Sequence, residues 1–228
     1  MADRSSHLVT ALLCKNEGSP DRYLRRVLEN ALSFSDTVLL LDDSSTDNTR
    51  DIAIEMGVTV SIRARGHDAW GQETAARSEL WEWGVREAKG SWLLIQDADM
   101  ILHGDPRPLC LSWEAGGWAW PLVDLWDSET TFRIDGPWGV GPSTPRPWLF
   151  HVGALDKGYV PQWSGRGIHS SHFPINYPLP IFATASRHWC HLSYVKRDHR
   201  VQKHAQYLAV ANQLTEFERM HAASILDQ

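Results

Sequence analysis

The 228-residue sequence has no apolar run long enough to cross a bilayer, and no hydrophobic signal segment precedes its first apolar stretch. These absences predict a protein without a membrane span and with a cytoplasmic location. The three cysteines, Cys14, Cys110 and Cys190, lie far apart and form no CxxC pair. This spacing favours reduced thiols over a disulfide framework or a zinc site. No internal repeat or low-complexity tract is evident.

An excess of basic residues is also missing. The formal net charge is −6, which argues against a whole surface built for binding polyanions, although it allows a local basic patch. Hydrophobic residues make up 43% and charged residues 22%, as in an ordinary globular protein, and the length fits one domain spanning residues 1–228. Tryptophan, by contrast, is abundant, and its 12 rings suit either sugar binding or core packing.

The first hundred residues alternate between short apolar runs and amphipathic stretches. Four of the apolar runs, partly β-branched, predict buried strands at 8–14, 37–41, 58–62 and 91–95. Helices are predicted between them, beginning at Ser19-Pro20, near Thr46 and at about Gly71. A β-α-β-α-β-α-β order predicts a parallel sheet with helices on both faces and a binding crevice at the carboxyl ends of the strands.

Acidic clusters follow two of these strands, at the edge where a ligand is expected. Asp42-Asp43 comes after the second strand and Asp97-Ala98-Asp99 after the fourth. One small residue separates Asp97 from Asp99, so both carboxylates can face one hard cation such as Mg²⁺ or Mn²⁺. Such a cation bridges substrate phosphates and neutralises a diphosphate leaving group. A lone DxD is often a solvated turn, but its place after a buried strand favours the metal site.

The pattern changes after about residue 105, where short strands, Trp, Pro and Gly replace the alternation. Extended segments are predicted at 118–127, 131–138 and 145–150, followed by one terminal helix between roughly 197 and 223. Acidic and aromatic side chains interleave in the first two segments. These segments are therefore expected to carry a second binding region.

Four motifs occur together in the first half of the chain. They are Lys15-Asn16-Glu17, Leu41-Asp42-Asp43-Ser-Ser-Thr-Asp47, Ala75-Ala76-Arg77 and Leu94-Ile-Gln-Asp97-Ala98-Asp99. With these motifs, residues from about Leu8 to Leu102 resemble a family 2-type glycosyltransferase. The resemblance implies an α/β fold of the GT-A (Rossmann-like) type, with a mixed, mainly parallel central sheet flanked by helices and a Trp-rich acceptor-side elaboration. Residues 1–104 would form the nucleotide-sugar-binding half, and residues 105–228 the acceptor-binding half with the C-terminal helix.

The same resemblance implies roles for individual residues. Asn16 and Glu17, with Asp42 or Asp43, would contact the nucleobase and ribose of a nucleoside diphosphate sugar, for which a UDP-sugar is the favoured donor. Arg77 would approach the diphosphate beside Asp97. Asp97 and Asp99 would hold Mn²⁺ or Mg²⁺, with Asp99 as the principal ligand. Alternative interpretations stay open, because the loop acids can simply form turns and caps and Arg77 can be a solvated helix residue.

A second match lies near the end of the chain. His191-Leu-Ser-Tyr194, followed by Lys203 and Tyr207, is similar to an HxGY-like segment of some family relatives, in which the histidine is a further metal ligand. The sequence departs from that pattern at Ser193, where glycine is expected. A core or surface role for His191 is the competing interpretation, and the spacing of His188, Cys190 and His191 matches no common zinc site.

A hydroxyl acceptor would need a general base if the transfer inverts the anomeric carbon. Asp135 and Asp127 are the candidates in the acceptor half, although each also suits a structural role. The segment 165–174 contains two glycines and two histidines and could fold over a substrate or act as a connector. The basic stretch around 187–203 could meet an anionic ligand, and such runs are usually solvated helix faces.

These observations predict a metal-dependent transfer of sugar from a nucleoside diphosphate sugar to a hydroxyl acceptor, which could be a glycan, a lipid, a protein or a modified nucleic acid. Two alternatives remain open. A nucleotidyltransferase can use a related fold, but its Gly-rich basic phosphate loop is missing from residues 12–18. A non-catalytic glycan- or nucleotide-binding module would use the same aromatic and acidic residues without turnover.

Overall fold

The computed structural model describes residues 7–63, 73–112, 114–164 and 171–227. Its strands and helices alternate through the first half and become shorter and more irregular in the second. In chain order they are β1 (Leu8–Cys14), α1 (Leu24–Phe34), β2 (Thr37–Asp42), α2 (Thr49–Glu55), β3 (Thr59–Ile62), α3 (Thr74–Glu87), β4 (Trp92–Asp97), β5 (Met100–His103), β6 (Gly117–Trp120), β7 (Leu122–Asp124), α4 (Val140–Ser143), β8 (Arg146–His151), β9 (Ile181–Ala183), β10 (His188–His191), α5 (Arg197–Ala209) and α6 (Glu216–Ser224).

The central sheet has seven strands in the described part of the chain, in the order β3-β2-β1-β4-β8-β6-β9. Strands β3, β2, β1 and β4 are parallel to one another, whereas β8 runs antiparallel to both β4 and β6. This arrangement confirms the predicted mixed, mainly parallel sheet. The carboxyl ends of β1, β2 and β4 consequently meet at one edge, where both acidic clusters lie.

Both faces of the central strands β1, β2 and β4 are buried, which explains why these strands are apolar. Leu8 and Leu12 of β1 face the core cluster that includes the apolar stripe of α1, whereas Val9 and Ala11 face the cluster around Leu80 of α3. Tryptophan contributes mainly to these cores. The fully buried rings include those of Trp81, Trp120, Trp138, Trp148 and Trp189.

A second, three-stranded sheet has the order β5-β10-β7. Strand β5 starts directly after Asp99, and Met100 pairs with His191 on the antiparallel strand β10. On the other side, His191 pairs with Asp124 of the parallel strand β7. Because of this register, the small sheet returns His191 to the end of β4.

The predicted single terminal helix is wrong, because two helices occupy that segment. Helix α5 is followed by a 3-10 turn at Ala211–Gln213, and α6 then begins after Thr215. Thr215 accepts a hydrogen bond from the Glu218 backbone N–H at 3.2 Å, and the Glu218 carboxylate accepts one from the Thr215 N–H at 2.7 Å. This reciprocal capping box starts a new helix where the sequence pattern suggested a continuous one.

Other boundaries also shift. Helix α1 begins at Leu24, later than the predicted Ser19-Pro20, and α2 begins at Thr49 instead of Thr46. The segment 131–138 is not a strand, since it contains one isolated bridge from Phe132 and a 3-10 helix from Gly136. The predicted start of α3 near residue 71 lies outside the described residues. None of the helices described is both long and apolar enough to span a bilayer.

Candidate functional site

A cavity of about 740 Å³ opens at the carboxyl ends of β1, β2 and β4. Its walls come from both halves of the chain, namely the loop after β1, the first turn of α3, the ends of β7 and β10, and helices α5 and α6. Most of the site residues predicted from the sequence line it. They are Asn16, Glu17, Asp43, Arg77, Asp97, Asp99 and His191.

The loop after β1 is fixed to the loop after β2 by a series of hydrogen bonds. The Asn16 side-chain oxygen accepts from the Thr46 N–H at 2.8 Å, and the Gly18 N–H donates to Asp47 at 2.9 Å. A Cβ on Gly18 would lie 2.4 Å from the backbone nitrogen of Thr49, so only glycine fits. Asn16 therefore lines the cavity while its side chain holds the two loops together.

Glu17 carries a buried polar atom that suits a ligand. Its Oε2 has no hydrogen-bond partner in the described part of the chain, and the nearest cation, Arg22, is 3.9 Å away. Burial raises the pKa of Glu17 to about 7, against the smaller lowering effect of Arg22. Near neutral pH the side chain can therefore donate or accept a hydrogen bond toward a bound group.

The two acids after β2 have different surroundings. Asp42 is fully buried, accepts from the Ser45 N–H at 3.1 Å, and does not line the cavity. Asp43 does line it, and its Oδ1 accepts from Nη1 of Arg63 at 2.7 Å. Of the two residues proposed to meet the nucleoside, the structure thus places only Asp43 within reach, and Asp42 supports the turn.

Arg77 and Asp97 form a buried ion pair. Nη1 of Arg77 lies 2.7 Å from Oδ1 of Asp97, and Nη2 lies 3.2 Å from Oε2 of Glu73, one helical turn earlier. The other carboxylate oxygen of Asp97 lies 2.8 Å from Nε2 of His172. Burial opposes these charges, but the ion pairs outweigh it, so the pKa of Arg77 is raised and that of Asp97 is lowered. Both oxygens of Asp97 are consequently engaged by side-chain donors.

Asp99 contacts His191, which lies 92 residues later in the chain. Its Oδ2 lies 3.0 Å from Nε2 of His191, and Nδ1 of His191 lies 2.6 Å from Oδ1 of Asp124. Burial alone would lower the pKa of His191, but Asp99 and Asp124 raise it to about 9. His191 therefore lies beside the acidic cluster, as the sequence predicted, and Asp124 is an orienting partner that the sequence did not reveal.

Ser193 occupies the position where glycine was expected, and it has a contact of its own. Its hydroxyl donates to Oδ2 of Asp99 and accepts from Nζ of Lys203 at 3.1 Å. Lys203 Nζ also lies 4.0 Å from Asp99. The serine thus links a lysine of α5 to the acidic cluster, a link that glycine could not make.

The donor atoms around Asp99 fit a divalent cation that is shared with a substrate. An oxygen of Asp99 and a nitrogen of His191 lie together, and this oxygen and imidazole combination suits Mn²⁺. No group of three His, Cys, Asp or Glu side chains converges as a complete site among the residues that the structure describes. The remaining ligands would have to come from a diphosphate or from water, and Asp99 is better placed than Asp97 to hold the cation.

Comparisons with known proteins agree with this geometry. Residues 11–111 match the model of glycosyl transferase family 2. The first 349 residues of TarS from S. aureus match with a TM-score of 0.56 and 13% identity, covering 96% of this chain and 69% of that chain. The chain therefore has a GT-A fold, and residues 11–111 are similar to family 2-type glycosyltransferases. No curated protein sequence gives a significant match.

Two further solved structures resemble this chain. The same part of TarS in complex with UDP matches with a TM-score of 0.52 and 13% identity, over 96% of this chain and 69% of that chain. Glucosyl-3-phosphoglycerate synthase from Mycobacterium tuberculosis, in complex with Mn²⁺, UDP and glucosyl-3-phosphoglycerate, matches with a TM-score of 0.38 and 18% identity, over 53% of this chain and 44% of that chain. At these identities the TarS likeness concerns the fold.

The family match favours glycosyl transfer over the two alternatives left open by the sequence, but the predicted catalytic bases do not line the cavity. Asp135 is exposed and holds Arg133, with Oδ2 2.7 Å from Nη2. Asp127 is also exposed, and its Oδ1 lies 2.6 Å from Nη2 of Arg200. Neither carboxylate is among the residues that line the cavity. Their contacts give both acids a structural role on the outer surface of the acceptor half.

The aromatic residues that line the cavity also differ from the sequence prediction, which allowed tryptophan to bind sugar. None of the tryptophans that the structure describes lines the cavity, and the rings that do belong to Tyr194, Tyr207 and Phe217. The predicted substrate-covering segment 165–174 lies partly outside the described residues, and its described histidine is His172, which reaches Asp97. Glu73 was missed, although its spacing of four residues from Arg77 on one helix was a usable signal.

Proposed function

We propose that the protein transfers a sugar from a nucleoside diphosphate sugar, with a UDP-sugar as the favoured donor, to a hydroxyl group of an acceptor, and that the reaction requires Mn²⁺ or Mg²⁺. The observation that carries this proposal is the convergence of Asp99, His191 and Arg77 in one cavity at the carboxyl ends of the parallel strands. The likeness to UDP-bound TarS supports the choice of nucleotide.

The donor would lie along the wall formed by the loops after β1 and β2. Glu17 and Asp43 offer buried carboxyl groups for the nucleoside. The hydrogen bonds between the two loops fix the positions of these groups. Arg77 would face the diphosphate from the first turn of α3. Its guanidinium is held by Asp97 and Glu73, so little side-chain entropy is lost when phosphate binds.

Asp99 and His191 would hold the divalent cation, which, when bound, neutralises charge on the departing nucleoside diphosphate. The residues of the chain prepare this position in advance. Asp124 orients the His191 ring, and Ser193 and Lys203 fix the Asp99 carboxylate. Such supporting contacts keep ligands in place and tune their basicity. Lys203 also contributes positive charge on the same side as the leaving group.

A donor screen tests the proposal directly. The purified protein is incubated with nucleoside diphosphate sugars and Mn²⁺, and release of nucleoside diphosphate and thermal stabilisation are measured in parallel, with EDTA-treated samples as controls. We expect one donor, a UDP-sugar, to stabilise the protein and to be turned over only with the metal. Absence of metal-linked stabilisation by every donor would contradict the proposal. Formation of pyrophosphate from a nucleoside triphosphate and a sugar phosphate would support a nucleotidyltransferase instead.

A further inference from the structure

Arg146 is a cation of the cavity wall that the donor site does not use. It lines the cavity and is half-buried at the start of β8. Within the described part of the chain, its guanidinium makes no hydrogen bond or ion pair. Arginine carries five N–H donors and a permanent charge, so a cavity-facing guanidinium without a protein partner suits an anionic ligand.

The backbone around Arg146 is stiff. Pro145 and Pro147 flank it, which fixes the neighbouring φ angles and restricts Arg146 to extended conformations. Arg146 pairs with Trp120 of β6, and Nε1 of the buried Trp148 donates to the Trp120 carbonyl oxygen at 3.1 Å. The backbone of Arg146 is therefore held in place at the cavity wall, and the side chain extends from a fixed point.

Arg146 lies in the acceptor half, near the end of β4 that carries the acidic cluster. Strand β8 pairs antiparallel with β4 up to Leu94 and Leu149, so the start of β8 lies toward the carboxyl end of β4. The acceptor half also contributes Leu122 and Pro137 to the lining of the same cavity. An acceptor that binds to this lining would lie close to the acidic cluster.

Other cavity cations already have protein partners. Arg77 is neutralised by Asp97 and Glu73, and Lys203 contacts Ser193 and Asp99. Arg22 donates to Gln202 at 2.9 Å.

The acidic groups of the acceptor wall are engaged as well. Asp124 contacts His191, and the Glu218 carboxylate accepts from Thr215 in the capping box of α6. Arg146 therefore leaves a positive charge on this wall that no described carboxylate balances.

We propose that the acceptor carries an anionic group, a phosphate or a carboxylate, which Arg146 binds while the acceptor hydroxyl faces the donor sugar. This inference rests on the proposed glycosyl transfer and adds the chemical class of the acceptor. A guanidinium binds either anion through two parallel hydrogen bonds, so the geometry supports both sources of charge.

Thermal stabilisation of the UDP-bound protein in the presence of Mg²⁺ tests the inference. The protein is titrated with glycerol, glycerol 3-phosphate and glycerate, and with glucose, glucose 6-phosphate and glucuronate. We expect the anionic members of each set to stabilise the UDP-bound protein and the neutral members not to do so. Comparison of the two phosphates, glycerol 3-phosphate and glucose 6-phosphate, with the two carboxylates, glycerate and glucuronate, shows which anion is preferred. Stabilisation by UDP itself is measured first, so its absence identifies failure of the proposed function and not of this inference alone.

The variant Arg146→Gln should lose the stabilisation by anions, whereas Arg86→Gln, an exposed arginine of α3 outside the cavity, should keep it. With a turned-over acceptor, Arg146→Gln should raise the acceptor KM by about 10- to 100-fold and leave the donor KM unchanged, with partial rescue by Arg146→Lys. Equal stabilisation of wild type and Arg146→Gln, no stabilisation by any anion, or an increase in donor KM instead would overturn the inference.

Discussion

Asp124 and His191 form a hydrogen-bonded pair across two parallel strands, with Oδ1 of Asp124 2.6 Å from Nδ1 of His191. The pairing fixes the ring so that the other nitrogen, Nε2, faces Asp99. Histidine ligands of metals commonly have such a carboxylate partner, which sets the tautomer and the ring orientation. Asp124 is therefore a positioning residue for the proposed cation site.

Replacement of this partner tests its positioning role. Asp124→Asn should weaken Mn²⁺ binding by about 10- to 100-fold, because the His191 ring loses its orienting carboxylate. The measurement is the Mn²⁺ concentration that gives half-maximal donor turnover. Saturating Mn²⁺ should restore most of the rate, since the metal ligands themselves are intact. An unchanged half-maximal concentration would show that Asp124 only fills space beneath His191.

Replacement of Asp99, the proposed principal metal ligand, should reduce activity more than replacement of Asp124. Asp99→Ala should reduce donor turnover by about 100-fold or more at any Mn²⁺ concentration, because Asp99 offers the carboxylate that faces Nε2 of His191. Asp135→Asn is the matched control, since Asp135 is exposed and lies outside the cavity. Release of UDP and the melting temperature are measured for both variants. Wild-type turnover in a folded Asp99→Ala protein would exclude Asp99 from the metal site.

Glu17 should make stability depend on pH. Burial raises the pKa of Glu17 to about 7 in the folded protein, whereas in the unfolded chain the same carboxyl has its ordinary pKa of about 4.5. Between about pH 4.5 and 7 the folded state then binds more protons than the unfolded state, so this group's contribution to stability falls as pH rises.

The variant Glu17→Gln has no titrating carboxyl at this position. Its free energy of unfolding, measured relative to that of wild type, should therefore rise by about 2 kcal/mol between pH 5 and pH 8. Denaturant unfolding at several pH values gives the comparison. Glu29→Gln, which changes an exposed glutamate of α1, is the control and should follow the wild-type trend. A constant difference between Glu17→Gln and wild type across the range would contradict the burial effect.

The capping box should hold α6 against the cavity. Thr215→Ala removes the hydroxyl that caps the helix and should lower the free energy of unfolding by about 1 kcal/mol. Because Phe217 and His221 of α6 line the cavity, acceptor KM should rise more than donor KM. Thr215→Ser, which keeps the hydroxyl, should behave like wild type. Equal changes in both KM values would show that α6 does not belong to the acceptor wall.

The sequence predicts the donor half well because its signals are local. Apolar runs define β1, β2 and β4, and the motif after β4 lies where strand polarity requires it. The contacts of Asp124 and Ser193 depend on how three short strands pair, which residue spacing does not encode. Asp127 and Asp135 illustrate the same limit, since the sequence does not show that their exposed carboxylates pair with Arg200 and Arg133 outside the cavity.

The terminal helix shows a different kind of failure. A polar, weakly periodic stretch is compatible with one long helix, and only the pairing of Thr215 with Glu218 marks the new start. That signature is visible in the sequence as a threonine followed three residues later by glutamate. Because a single helix is predicted here, the contribution of Phe217 and His221 to the cavity is not predicted either.

The contact between Asp99 and His191 joins positions 92 residues apart in the chain, and that between Asp124 and His191 spans 67. Both contacts depend on β10, whereas the four parallel strands β1 to β4 are contained in residues 8–97. The cation site proposed for Asp99 and His191 therefore needs the second half of the chain, although the wall proposed for the nucleoside does not. A substitution that detaches β10 from β5 and β7 should weaken Mn²⁺ binding more than nucleoside binding.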